Sequence, residues 1–224
     1  RVDGFIIVTA DGENKYLDFL IQQKVPIVLL DRRISRVKLD MVLVDNKGGT
    51  RKLTEHLINL GHKKIGVITG PLSTSTGKER LKGYLESLRK HSLPKDDKLI
   101  KVGKFRQESG YSLTMELLSL SSPPSAILAC NNVIGLGIMD ALQEKGIKIP
   151  NEVALVIFDD LPWFRYLNPP ISVVSQPTSE LGEMAAKLLL ERMKGRRKKP
   201  KEVVLEVEFR PRLSAGETLR TGSF

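Results

Sequence analysis

The sequence holds one cysteine in 224 residues, which excludes an intramolecular disulfide and a cluster of thiolate metal ligands and favours a reducing compartment. That residue, Cys130, closes the apolar run "PSAILAC" and reads as a small buried side chain, not an activated nucleophile. No apolar stretch reaches the roughly 18 residues that a membrane-spanning helix requires. No basic, apolar, small-residue series at the N-terminus resembles a secretory signal. The chain begins with neither a Met nor a leader: "RVDGFIIV" starts almost directly in a strand pattern, which points to a fragment whose upstream part is absent.

The motifs of catalysis are missing too. There is no G-x-x-x-x-G-K-[ST] phosphate loop and no G-x-S-x-G elbow, and His56, His62 and His91 lack H-E-x-x-H spacing. "GLGIMD" (135–140) begins as a dinucleotide fingerprint does, but Asp140 stands where the third glycine belongs, and the glycines lie inside a helical pattern. The adjacent acids Asp159 and Asp160 point in different directions and have no identifiable partner for acid–base work. The reading is therefore non-enzymatic, with no metal and no cofactor expected.

The net charge is +10, from 36 Lys and Arg against 26 Asp and Glu. The stretch "RMKGRRKKPK" (192–201) alone holds seven basic residues and no acid. The rest of the chain is nearly balanced, so the surplus reads as a solvated loop after a helix, not as a face that reads a duplex.

What the sequence does hold is a regular alternation. Short runs rich in Ile, Val and Leu (3–9, 25–31, 40–45, 64–70, 98–105, 124–130 and 152–160) are separated by helical patterns near 13–24, from 48, and near 76–91, 107–120, 132–145 and 178–194. Continuous apolar strands between helices predict an α/β fold with parallel sheets covered on both faces. In such sheets ligands bind beyond the carboxyl ends of the strands. Polar residues recur there: Asp31 after "IVLL", Asp45 and Asn46 after "VLV", Asn131 and Asn132 after "ILAC", Asp159 and Asp160 after "VIF". Each also suits a helix N-cap, because a short polar side chain accepts from free N–H groups there.

Four longer stretches carry a resemblance. "VDNKGGTRKLTEHLINLGHKKIGVITGP" (44–71), "ERLKGY" (79–84), "AILACNNVIGLGIMDALQEKGIKIPNEVALVIFDDL" (126–161) and "PPISVVSQPTSELGEMAAKLLL" (169–190) resemble the effector-binding core of the lactose and galactose repressor family of bacterial transcription regulators. The resemblance runs over nearly the whole chain in order. It implies a two-lobed fold like type I periplasmic sugar-binding proteins, with ligand in the interlobe cleft. The implied N-lobe is 1–45 plus 178–205, truncated at its start; the C-lobe is 46–177 plus 206–224. The family's helix-turn-helix and first strand–helix units are absent, so operator DNA would be bound only through that missing part, and part of the N-lobe sheet would be uncovered.

By the same resemblance, ligand contacts fall on Asp31, Thr76, Arg80, Phe105, Asn131, Asp159 and Gln176, whose chemistry suits a sugar or sugar derivative: carboxylates accept from hydroxyls, Arg donates a fork, and a ring covers an apolar sugar face. From the residues alone, Arg80 also reads as a surface partner of acids such as Glu79, and Phe105 as core. Asp160 reads as a cap or brace for the following loop. A homodimer is implied through the helix near 134–145 and the segment 161–168, with Ile134, Met139, Leu142, Trp163, Phe164 and Tyr166 as its apolar contacts. The implied protein is a cytoplasmic, sugar-responsive repressor working by lobe closure. The rival from the same fold is a solute-binding protein of a transport system.

Overall fold

A computed structural model of the chain describes residues 2–9, 15–34, 36–196 and 199–216. The Ile-, Val- and Leu-rich runs form strands because branched side chains pack well on a pleated, buried surface. They assemble into two sheets. The smaller contains, in spatial order, β1 (Phe5–Ile7), β2 (Ile27–Leu30), β3 (Asp40–Val44) and β9 (Glu202–Leu205), all parallel. The larger runs β10 (Glu208–Arg210), β8 (Ser172–Ser175), β7 (Ala154–Phe158), β6 (Ala126–Ala129), β4 (Ile65–Thr69), β5 (Ile100–Val102), parallel except for β10.

Helices bury both faces of each sheet. On the smaller sheet, Leu17 of α1 (Lys15–Gln22) packs with Ile27, Leu29, Met41 and Leu43. Leu181, Ala185 and Leu188 of α6 (Thr178–Met193) join Val28, Val42 and Val44 on the other face. On the larger sheet, α2 (Asn46–Asn59) and α3 (Ser75–Lys90) supply Leu53, Leu57, Tyr84 and Leu88 against Val67, Leu128 and Val156. The opposite face carries Leu117 of α4 (Gln107–Leu118) and Ile134, Ile138 and Leu142 of α5 (Asn132–Glu144), over Ile68, Ile127 and Ile157.

Gly137, in the stretch that begins like a dinucleotide fingerprint, serves helix packing. A Cβ there would lie 2.0 Å from the Gln107 carbonyl oxygen, and one on Gly110 would lie 2.2 Å from that of Ile134. The missing side chains let α4 and α5 touch backbone to backbone.

Three expectations are corrected. Ile134, Leu142 and Phe164 are 0%, 1% and 0% exposed and belong to this chain's own core, because the apolar stripe of α5 faces its sheet and the 3₁₀ turn Phe164–Tyr166 tucks its first ring inward. They are unavailable to a partner. Met139 is half-buried, whereas Trp163 and Tyr166 are exposed. Strands β8, β9 and β10 were not foreseen: they are three or four residues long, and β9 and β10 alternate between exposed and partly buried residues, giving no continuous apolar run.

The smaller sheet is less covered at one margin. Its edge strand β1 leaves Ile6 exposed, with Val8 exposed just beyond, and α1 leaves Tyr16 and Phe19 exposed. Within the basic stretch 192–201, Arg192 donates through Nε and Nη2 to Oδ2 of the fully buried Asp40, at 2.9 and 2.7 Å, so it closes the fold instead of lying free in solvent.

The chain passes between the sheets three times. Asp45 separates β3 from α2, Gln176–Pro177 separates β8 from α6, and Glu206–Val207 separates β9 from β10. The first and third passages are joined where the Asp45 N–H donates to the Leu205 carbonyl at 2.9 Å.

Candidate functional site

The carboxyl ends of β2, β3, β6 and β7 carry the polar residues singled out in the sequence, and the structure divides several of them into two kinds. Asp45 and Asn131 are helix caps: the Asp45 carboxylate accepts from the Gly48 N–H at 2.7 Å, and Asn131 Oδ1 accepts from the Ile134 N–H at 2.9 Å. Among the described residues, Asp31 and Asp159 cap no helix. Both hold left-handed backbone, with φ of 68° and 82°, a conformation that costs energy for residues other than glycine, though Asp and Asn tolerate it best.

Arg80 is the centre of the arrangement. It is 3% exposed, and its guanidinium lies 3.8 Å from the Phe158 ring centroid. Nε donates to Asn46 Oδ1 at 2.8 Å, and Nη1 donates to the Cys130 carbonyl at 2.7 Å and lies 3.7 Å from the Asp159 carboxylate. Its alternative reading as a surface partner of Glu79 therefore fails: Glu79 pairs with Arg33. Gln176 donates through Nε2 to Asp159 Oδ1 at 2.5 Å. Burial pushes the Asp31 carboxyl above its ordinary range, and Asp159 adds to this; Arg80 and Arg32 pull the other way. Asp31, Arg80 and Asp159 thus form one electrostatically coupled set drawn from both sheets.

Phe105 flanks this set. Its ring covers Gly70, where a Cβ would lie 2.3 Å from the ring, and the Arg32 guanidinium sits 5.4 Å from the ring centroid. It also packs against the core beneath, as its core reading expects. Asn131 joins through its neighbour Cys130, whose carbonyl Arg80 engages. Thr76 stands apart: it is buried in the first turn of α3, and among the described residues its hydroxyl reaches only Thr74, at 3.4 Å.

Asn46, Arg32 and Arg33 escaped the sequence reading as site residues. Arg33 donates to Glu202 (Nε at 3.1 Å, Nη2 at 2.6 Å) and to Glu79; Glu79 accepts from Asn46 Nδ2 at 3.2 Å. Asn46 in turn accepts from Arg80, so one polar chain runs from the smaller sheet into the larger. The available signal was Asn46's place at a strand end beside Asp45.

Asp160 does brace a segment, but a distant one. Its carboxylate accepts a fork from Arg212 at 3.0 and 2.7 Å and a third bond from Arg210 at 3.0 Å. Burial raises its pKa, but the two arginines outweigh that and hold it below the ordinary carboxylate value. A depressed acid contributes stability that is present above its unfolded pKa near 4 and lost as pH falls through the lower folded value. Asp160→Asn should therefore destabilise the protein by about 2 kcal/mol at neutral pH, with the gap from wild type closing at acidic pH; denaturant melts at both pH values measure this.

Among the described residues, no group of three or more His, Cys, Asp or Glu could hold a metal ion, and no helix is long and apolar enough to cross a membrane. What the arrangement offers at the strand mouths is a polar set of two carboxylates, one buried guanidinium and amides, flanked by one aromatic face. That is chemistry for holding hydroxyls.

Comparison with known proteins bears on the family and the fold. A family model described as "Periplasmic binding protein-like domain" matches residues 54–215. The ribose operon repressor of Haemophilus influenzae is 33% identical over 206 residues, covering 92% of this chain and 62% of that protein. The chain thus spans just under two thirds of that curated relative. Among solved structures, a transcriptional regulator CelR–cellobiose complex superposes with a TM-score of 0.90 at 32% identity, covering 95% of this chain and 66% of that one. A regulatory protein of the LacI family from Chloroflexus aggregans gives 0.87 at 34% identity, covering 95% and 76%. With this fold, these strand-end residues and these relatives, the chain belongs to the LacI family of transcription regulators, of which it is the periplasmic-binding-protein-like part.

Proposed function

We propose that this chain is the effector-sensing core of a sugar-responsive transcriptional repressor. The observation that carries the reading is the polar set at the strand mouths of the larger sheet, where Arg80 lies 3.7 Å from Asp159 and Gln176 donates to Asp159, together with Asp31 at a strand mouth of the smaller sheet in the field of Arg80 and Asp159. A polyol seated there gains acceptors from both sides and draws the sheets together. Ligand then favours one relative orientation by as much as it binds that orientation better.

In this reading the two lobes are 1–45 with 178–205 and 46–177 with 206–224, operator DNA is contacted through further sequence of the kind its longer relatives possess, and the protein works in the cytoplasm. Thermal-shift measurements against neutral sugars, sugar acids, sugar phosphates and nucleobases test it, because a ligand that binds only the native state raises its melting temperature. A shift with a sugar that Asp159→Asn abolishes supports the reading. Shifts only with nucleobases would replace the sugar with another effector class.

The protein acts as a homodimer through the exposed face that carries Trp163, Tyr166 and Leu167, the last lining one hollow together with the half-buried Met139. Two large aromatic rings in one short loop form the kind of patch that dimer interfaces cover. Sedimentation at micromolar concentration should give the mass of two chains, and Trp163→Ser should lower it to one.

A further inference from the structure

We infer that the effector is an anionic carbohydrate, a sugar bearing a carboxylate or a phosphate ester, whose charged group is held at the mouth of the cleft by Arg32, Lys104 and Arg106. This rests on the reading of the cleft as the effector site and adds the ligand's charge and its orientation.

A hollow of about 590 Å³ adjoins the polar floor, sharing Arg32 and Phe105 with it, and Thr9 and Thr74 complete the facing walls. Its size is that of a small-ligand pocket. Three cations and no carboxylate line it among the described residues. Arg32 is fixed in place: Nη1 donates to the Thr9 carbonyl at 2.7 Å, its guanidinium lies 5.4 Å from the Phe105 ring centroid, and Nε lies 3.7 Å from Asp31. Lys104 and Arg106 are exposed and form no ion pair with any described residue. Arg106 also stands at the start of α4 without a side-chain cap bond, so the positive end of that helix adds to the field. Like charges gathered in one hollow are favoured by a fixed counter-charge, and a ligand anion supplies it.

The floor sets the orientation. Asp31 and Asp159 accept from hydroxyls and repel an anion, so the hydroxyl-bearing end of the ligand sits on the floor and its charge lies outward among the three cations. A neutral sugar would satisfy the floor and leave Lys104 and Arg106 without a counter-charge among the described residues.

Calorimetry on matched sets tests this: glucose, glucuronate and glucose 6-phosphate; galactose and galacturonate; ribose and ribose 5-phosphate, with inorganic phosphate alone as the reference anion. In at least one set an anionic member should bind at least about tenfold tighter than its neutral parent. That preference should shrink between about 50 and about 500 mM salt. The double variant Lys104→Gln/Arg106→Gln should reduce the preference about tenfold while its thermal melt stays that of wild type. Stronger response to the acid than to the phosphate, or the reverse, identifies the anionic group. If neutral parents bind as tightly as their anionic partners, the charge inference falls and the effector-site reading stands. If inorganic phosphate binds as tightly as the sugar phosphate, the hollow is a free-anion site and the inference also falls. If no sugar in any set binds, both fall together.

Discussion

Replacing Arg80 by Met should lower the stability of the unliganded protein by about 3 kcal/mol and abolish measurable effector binding. Met conserves most of the volume, so the loss is chiefly electrostatic. The Cys130 carbonyl and Asn46 Oδ1 lose their donor in a buried setting, the guanidinium leaves the Phe158 ring, and Asp159 and Asp31 lose the cation they share. Arg80→Lys should recover part of the stability but little of the binding, since an ammonium supplies the charge without the planar fork. Denaturant melts and calorimetry on both variants measure the two halves. A wild-type melt for Arg80→Met would show that the buried cation is not what organises the cleft.

Asp159→Asn should act the opposite way, sparing the fold while weakening effector binding ten- to a hundredfold, the worth of about 1.5–3 kcal/mol for hydrogen bonds to a charged acceptor. Asn tolerates the left-handed backbone that position 159 holds, and its amide oxygen still accepts from Gln176. Arg80 keeps its bonds to Asn46 and Cys130. The stability should therefore fall by no more than about 1 kcal/mol. Asp159→Val, by contrast, forces a β-branched residue into that backbone and should cost about 1–3 kcal/mol in strain alone. If Asn and Val are equally damaging to stability, Asp159 is a structural residue.

How much of this was legible beforehand depends on distance along the chain. Runs such as 126–129 and 154–158 announce buried parallel strands because both faces are apolar, and the residues that follow them mark the strand mouths. Which of those residues cap and which face the cleft was not legible: Asp45 and Asp31 are the same residue type after similar runs, and only the backbone angle separates them. The polar chain from Glu202 to Arg80 was equally hidden, because its links join positions 33 and 202, 33 and 79, and 46 and 79. The inward turn of Phe164 within "LPWFRYLNPP" is decided by packing on Ile171 and its neighbours, which no local pattern reports.

The three passages between the sheets are one or two residues long, and one contains a proline. Connections that short cannot stretch far, so if the two halves act as the proposed lobes, the freedom left to them is to pivot about the line through Asp45, Pro177 and Glu206–Val207. A displacement at the cleft is then proportional to its distance from that line, and so is a displacement anywhere else on the same half. Whatever is attached far from the axis travels furthest. In the proposed reading, occupancy of the cleft would be written as an angle, read with the greatest leverage at the margin most remote from the pivot.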